Sequence, residues 1–291
     1  MKATFVRPPD RQQWMRLSDG RRLGWYEWGR SSGRAVLFCT GAAMSGSLGF
    51  GAADIDALDL RLIAPDRPGL GSSDPHPGKT LTTWVDDIAQ VIAEHDLQGA
   101  AAVGFSQGAP FALALAAHRL VTGVAIVSGQ DELAHPPLAP LLHPDVAKMI
   151  AAVQRDAEAF EEQLSAIATA DGLWQLIIGM SGDQDHKVYM NEAFSAACRR
   201  SLREGFSQGG QGYARDLVTA LHPWPIEPAE VIVPVDIWYG GLDASTVHSP
   251  DFGATLAARL PNASRTVDPA QGGSILWTRA GDILSRLRSH F

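Results

Sequence analysis

A chain of 291 residues, 45% of them hydrophobic, is long enough to bury the core of one large α/β domain with an insertion. Charged residues make up 19%, the formal net charge is −8 and no Lys/Arg run occurs, which argues against nucleic acid and anionic membranes as partners. Two cysteines far apart, Cys39 and Cys198, supply neither a disulfide framework nor a CxxC metal site.

In chain order, residues 11–28 read as an antiparallel hairpin, with Trp14–Leu17 leading into a Ser18-Asp19-Gly20 turn and the return carrying Leu23, Trp25 and Tyr26. Ala35–Cys39 is a continuous apolar strand, as in a sheet covered on both faces, with Cys39 a buried thiol at its end. Arg61–Ala64 is the next strand. An amphipathic helix then runs from Thr80 to about His95, with Trp84, Val85, Ile88, Val91 and Ile92 inside and Thr80 or Thr82 as its cap. The stretch from Gly99 to His118 opens as a short buried strand and passes through Gly104-Phe105-Ser106-Gln107-Gly108. It continues from Ala109 to Ala117 as a helix of strong helix formers. Strand, G-x-S-x-G turn and helix form the context of a nucleophile elbow, with glycine at 104 and 108 because bulk there would meet the neighbouring strand or helix. Val121–Val127 is another buried strand.

From Leu133 the texture changes. His135–Pro140 breaks regular structure, and helices are expected near 144–154, 156–169, 172–180, 185–204 and 213–221. The chain then returns to strands at 235–240 and 263–267, with a loop and helix over 246–260 between them and a last helix over 274–287. Residues 130–225 are therefore read as a helical cap inserted into a core made of 1–129 and 226–291. Such a cap would roof the elbow with an apolar pocket. Arg199, Arg200 and Arg203 read as a solvated helix face. Residues 1–20 carry no apolar signal core, and no apolar run reaches about 18 residues. A soluble, cytoplasmic protein is expected, with no membrane partner.

Three segments carry a resemblance to the α/β-hydrolase family: Gly104–Gly108, Pro65-Asp66-Arg67-Pro68-Gly69-Leu70-Gly71-Ser72-Ser73, and Tyr239-Gly240-Gly241-Leu242-Asp243. The resemblance implies a mostly parallel eight-stranded sheet with helices on both faces and a helical cap insertion. It implies Ser106 as nucleophile and Asp243 as the acid, with Asp131 a weaker alternative. The backbone amides of Gln107 and Ala42 would hold the oxyanion, although Thr40 stands where the family usually has a His. Asp66 and Arg67 are read as groups that shape their own loop.

A serine hydroxyl needs a base in reach and an acid to orient it. In this family the order is Ser, acid, His. The segment Pro269-Ala270-Gln271-Gly272-Gly273-Ser274 follows the family pattern, but Gly273 stands where the imidazole is expected. His248 lies five residues beyond Asp243, and His76, His135, His222 and His290 are scattered. Three explanations compete: an engineered His to Gly change at 273, natural loss of the base, or a displaced base such as His248. The first is preferred because the rest of the site is intact.

The expected activity is that of a serine hydrolase on a carboxylic ester, lactone or thioester of a small hydrophobic molecule, in an inactivated form. Turnover would rise if His were placed at 273. The alternative is a non-hydrolytic binding protein, lyase or cyclase on the same fold. No metal or organic cofactor is implied, and a homodimer is compatible with this reading.

Overall fold

The computed structural model describes residues 5–291. Strands β1 (Arg11–Arg16) and β2 (Arg22–Trp28) form the expected antiparallel hairpin, in the register Arg11↔Glu27 to Arg16↔Arg22. β1 lies at the sheet edge, and its Trp14 faces solvent. β3 (Arg34–Cys39) follows, then a one-turn helix α1 (Asp54–Ala57) and β4 (Leu60–Pro65). α2 (Leu81–Glu94) begins where Thr80 accepts from Thr83 N–H while the Thr83 hydroxyl accepts from Thr80 N–H. Such reciprocal capping satisfies two amides that a helix start leaves unpaired, worth about 1 kcal/mol.

β5 (Ala101–Phe105) runs into Ser106 and then α3 (Ala109–Ala117), in which every residue from Ala109 to Ala116 is buried. A helix apolar all round belongs inside the molecule, and α3 packs against the centre of the sheet. β6 (Val124–Val127) is shorter than the sequence suggests, although Val121 ahead of it is still buried.

Six helices lie between β6 and β7: α4 (Pro144–Arg155), α5 (Ala157–Ile167), α6 (Ala170–Gly179), α7 (Asp183–Tyr189), α8 (Glu192–Gly205) and α9 (Gln211–Leu221). The single helix expected over 185–204 is two. Asn191 leaves helical geometry and accepts from Phe194 N–H, so it caps α8 rather than continuing α7. α4, α5 and α9 share a small core of Val146, Ile150, Val153, Leu217, Val218 and Leu221 with Leu133. α6, α7 and α8 instead extend the main core through Trp174, Tyr189, Phe194 and Leu202.

The chain closes with β7 (Val235–Gly240), α10 (Ala254–Arg259), β8 (Ala263–Asp268), α11 (Ile275–Thr278) and α12 (Ala280–Arg288). The last helix is interrupted at Arg279, which has non-helical dihedrals and a guanidinium paired with Asp268. The eight strands form one sheet in the order β1-β2-β4-β3-β5-β6-β7-β8. The β1–β2 and β2–β4 pairs are antiparallel and all others parallel. α2, α3 and α10 cover one face through Trp84, Phe111 and Leu256, while α1, α11 and α12 cover the other through Ile55, Ile275 and Leu284. The C-terminal ends of β3, β5, β6 and β7 therefore converge beneath the inserted helices, where parallel sheets place their ligands. Among the described residues, no helix is long and apolar enough to cross a membrane.

Candidate active site

Ser106 sits on the turn between β5 and α3 with φ +50°, a left-handed conformation costly for a residue with a side chain. The two glycines of the turn are required by contact. A Cβ at 104 would lie 2.8 Å from Ala109 Cα, and one at 108 would lie 2.0 Å from the Cys39 carbonyl oxygen. The turn therefore fits only against bare backbone, and it presents the Ser106 hydroxyl to the space beneath the insertion.

His248 Nε2 lies 3.0 Å from Ser106 Oγ, and His248 Nδ1 lies 2.7 Å from Asp243 Oδ2. Asp243 and His248 are largely buried. Serine, imidazole and carboxylate thus form one continuous hydrogen-bonded line, whose roles are recognised by geometry rather than chain position. The loop after β7 makes this possible by curling back on itself. Ser245 N–H donates to Asp243 Oδ1 (3.0 Å), and His248 N–H donates to the Ser245 carbonyl (3.4 Å). Ser249 then anchors the loop to the end of β6. Its N–H donates to the Gly129 carbonyl (3.0 Å), and its hydroxyl lies 2.9 Å from an oxygen of Asp131.

The site therefore holds an imidazole, that of His248, which is the displaced candidate among the three explanations open from sequence, whereas the preferred one has no imidazole here. Gly273 lies beside Asp243 and carries no side chain of its own. A Cβ there would approach Asp243 Oδ1 to 2.7 Å. Asp185 of α7 fixes the Gly273 segment. Its carboxylate accepts from Gly273 N–H (3.1 Å), Ser274 N–H (2.7 Å) and the Ser274 hydroxyl (2.7 Å). Asp131, the alternative acid, touches Ser249 rather than an imidazole, and burial pushes its carboxyl up to about 6. His76, His135, His222 and His290 do not line the cavity. His290 pairs with Asp236 at the opposite end of β7 (2.6 Å).

His248 ranks below Gly273 on sequence, because a spacing of five residues from Asp243 gives little room to bring an imidazole back onto the carboxylate. The usable signal is the Asp243-Ala244-Ser245 start, which can form an Asx turn and reverse the chain. Asp185 had no sequence signal beyond a place in the first turn of a helix.

Ala42 and Gln107 also border this space. Among the described residues neither backbone N–H has a protein hydrogen-bond partner. Asp66 shapes its own loop as expected, accepting from Gly46 N–H (2.6 Å), Ser72 N–H (2.7 Å) and the Ser72 hydroxyl (2.8 Å). Burial still pushes its carboxyl up to about 6. Cys39 is a buried thiol, pushed up to about 12 by desolvation.

The cavity above Ser106 has a volume of about 440 Å³. Met44 and Phe105 contribute from the core, Val146, Met149, Leu173, Ile177, Met180 and Leu217 from the insertion. Among the described residues no Lys or Arg lines it, whereas Asp145, Asp185 and Asp243 do. The phenols of Tyr189 and Tyr213 on its wall stay neutral, since burial pushes the first up strongly and the second to about 12. Among the described residues, no group of three or more His, Cys, Asp or Glu side chains is arranged to hold a metal ion.

The family model described as the alpha/beta hydrolase fold matches residues 34–277. A non-heme chloroperoxidase from Streptomyces lividans is 35% identical over 99 residues, which cover 31% of this chain; the match spans about a third (34%) of that curated relative's length. Among solved structures, a bromoperoxidase from Bacillus anthracis superposes with a TM-score of 0.68 at 17% identity, covering 96% of this chain and all (100%) of that one. The enol-lactonase from Burkholderia xenovorans LB400 gives 0.66 at 16% identity, covering 94% and 100%. The esterase EaEST from Exiguobacterium antarcticum gives 0.65 at 16%, covering 95% and 98%.

Proposed function

We propose that this chain, which belongs to the alpha/beta hydrolase fold family, is an active serine hydrolase for a carboxylic ester, lactone or thioester of a small, neutral, hydrophobic molecule. The observation that carries the reading is His248 bridging Ser106 (3.0 Å) and Asp243 (2.7 Å). The printed names of the esterase and the enol-lactonase agree in reaction class.

In the proposed mechanism His248 Nε2 takes the Ser106 proton as Oγ attacks the substrate carbonyl carbon. Asp243 accepts from Nδ1–H, holds the ring in the tautomer that leaves Nε2 free, and stabilises the imidazolium. The carbonyl oxygen becomes an oxyanion facing the amides of Ala42 and Gln107, donors that cost no reorganisation. Collapse of the tetrahedral intermediate breaks the bond to the leaving alcohol or thiol, which His248 protonates. A water activated by His248 then releases the acid and regenerates Ser106. The left-handed Ser106 backbone keeps Oγ clear of α3 and aimed at this space.

The cavity supports the substrate class. A wall of Met, Leu, Ile and Val favours an apolar group. Three lining carboxylates, with no Lys or Arg beside them among the described residues, disfavour an anionic substrate.

The test is labelling with a fluorophosphonate, followed by intact mass and peptide mapping, together with turnover of p-nitrophenyl butyrate. Label on Ser106 and turnover abolished by Ser106→Ala are expected. A folded wild-type chain that is neither labelled nor active would refute the reading.

A further inference from the structure

We propose that Arg67 is a positioning residue for the oxyanion site: it holds the Gly41–Ala42 peptide so that Ala42 N–H faces the developing charge, and Asp216 of the insertion holds Arg67 in turn. This deepens the hydrolase reading above and rests on it.

Arg67 is fully buried and spends its guanidinium in three directions. Nη1 donates to the Thr40 carbonyl (2.6 Å), Nη2 to the Gly41 carbonyl (2.9 Å) and Nε to Asp216 Oδ2 (2.7 Å). The group also lies over the Phe111 ring, 4.8 Å from its centroid. The Gly41 carbonyl and the Ala42 N–H belong to the same planar peptide unit and point opposite ways. Fixing that carbonyl from behind therefore aims that N–H. A charged donor on the carbonyl also polarises the peptide and strengthens its N–H as a donor.

Other supports from outside the loop lie further along it, where Ser45 N–H donates to the Ser201 carbonyl (3.1 Å), the Ser201 hydroxyl donates to the Ser45 carbonyl (2.9 Å) and Gly46 N–H donates to Asp66 (2.6 Å). Thr40, in the place of the usual His, donates its hydroxyl to the Met44 carbonyl (2.8 Å) and so ties the loop to itself. The Gly41 carbonyl has one further contact, a long bond from Met44 N–H (3.4 Å).

Asp216 belongs to α9, so the insertion is keyed into the back of the oxyanion loop. Lys79 Nζ lies 2.6 Å from Asp216 Oδ1 and donates to the Pro68 carbonyl (2.7 Å), so the carboxylate is held between two cations. Arg67, Lys79 and Asp216 are all essentially without solvent exposure. Buried ionic groups seldom improve stability over apolar packing of the same volume, which leaves positioning as the stronger account of their presence.

Lysine cannot reproduce a three-way planar fork, so Arg67→Lys keeps the charge and loses the geometry. The experiment compares wild type, Arg67→Lys and Asp216→Asn. It measures kcat and KM for p-nitrophenyl butyrate, and the affinity of an alkyl trifluoromethyl ketone, which adds to Ser106 to give a bound oxyanion. For Arg67→Lys, kcat is expected to fall about 10–100-fold with KM within about threefold, below the 10²–10³ loss for removing an oxyanion donor outright. Ketone affinity is expected to fall by the same factor as kcat. Asp216→Asn, which keeps an acceptor for Nε, is expected to show the same pattern at about 3–10-fold. Should Arg67→Lys not fold, Asp216→Asn decides on the same two readouts.

A folded variant with unchanged kcat, or with kcat reduced and ketone affinity intact, overturns the proposal while wild-type turnover leaves the hydrolase reading standing. A wild-type chain that neither turns over ester nor binds the ketone overturns both.

Discussion

The loops after β7 and after β8 face each other across Asp243, yet they are built on opposite principles. The β7 loop carries Asp243 and His248 on one tight reversal, held by its own backbone and by Ser249. The β8 loop, where the family usually places its base, carries Gly273 and is held from outside by Asp185 of the insertion. One loop supplies the two side chains proposed to react and the other supplies room for them. The imidazole needs only a place in space between hydroxyl and carboxylate. Any strand end that reaches that place can deliver it.

The most direct way to break this comparison is to remove the imidazole. His248→Ala should cut p-nitrophenyl butyrate turnover by about 10⁴-fold or more, leaving the residual rate that binding and oxyanion donors sustain. The circular dichroism spectrum should be unchanged. If turnover survives, the base lies elsewhere and the β7 loop is only a wall.

The β8 loop is tested through its clamp. Asp185→Ala leaves two buried backbone amides and a hydroxyl without their acceptor, and stability should fall by about 3–5 kcal/mol in urea unfolding. A loss under about 1 kcal/mol would mean that water replaces the carboxylate easily.

The position of Gly273 gives an outcome opposite to the one expected from sequence. Gly273→His should lower turnover about a hundredfold rather than raise it, because its Cβ would press on Asp243 Oδ1 at 2.7 Å and turn the carboxylate away from His248. An increase in kcat would show that the β8 loop can still deliver a base.

The smallest effect concerns pH. Burial raises the Asp131 carboxyl to about 6, whereas in an unfolded chain it titrates near 4. Between those values the folded state holds a proton that the unfolded state has lost. The group's contribution is therefore full below about pH 4 and is lost as pH rises through 6. Relative to wild type, Asp131→Asn should gain about 2 kcal/mol of stability between pH 4 and pH 7, measured by urea unfolding at each pH. A pH-independent difference would show that Asp131 is not the group that titrates.

Much of this arrangement is legible in the sequence wherever the determinant is local. The elbow is spelled by Gly104, Ser106 and Gly108 because the clashes that demand glycine arise within one turn and the strand beside it. Asp243 is legible through the family resemblance of its short segment, Tyr239-Gly240-Gly241-Leu242-Asp243. His248 is legible only as one alternative among three, since the Asx turn that returns it to Asp243 depends on a side chain folding onto its own backbone. Asp185 and Asp216 were not legible. Their partners lie 88 and 149 positions away in the chain, and only the folding of the insertion onto the core brings them together. The split between α7 and α8 does carry a local signal, because Asn191 is a strong N-cap residue.

One consequence follows from His248 lying where it does. All proposed reacting groups lie at or before residue 248, so β8, α11 and α12 form a terminal buttress with no chemistry of its own. The turn at 269–271 is the exposed seam of that buttress, with Pro269 and Ala270 open to solvent. A chain severed there would keep nucleophile, base, acid and oxyanion amides on one piece. Activity regained on adding back the remainder would read out docking alone, making this protein a reporter of how a parallel sheet accepts its final layer.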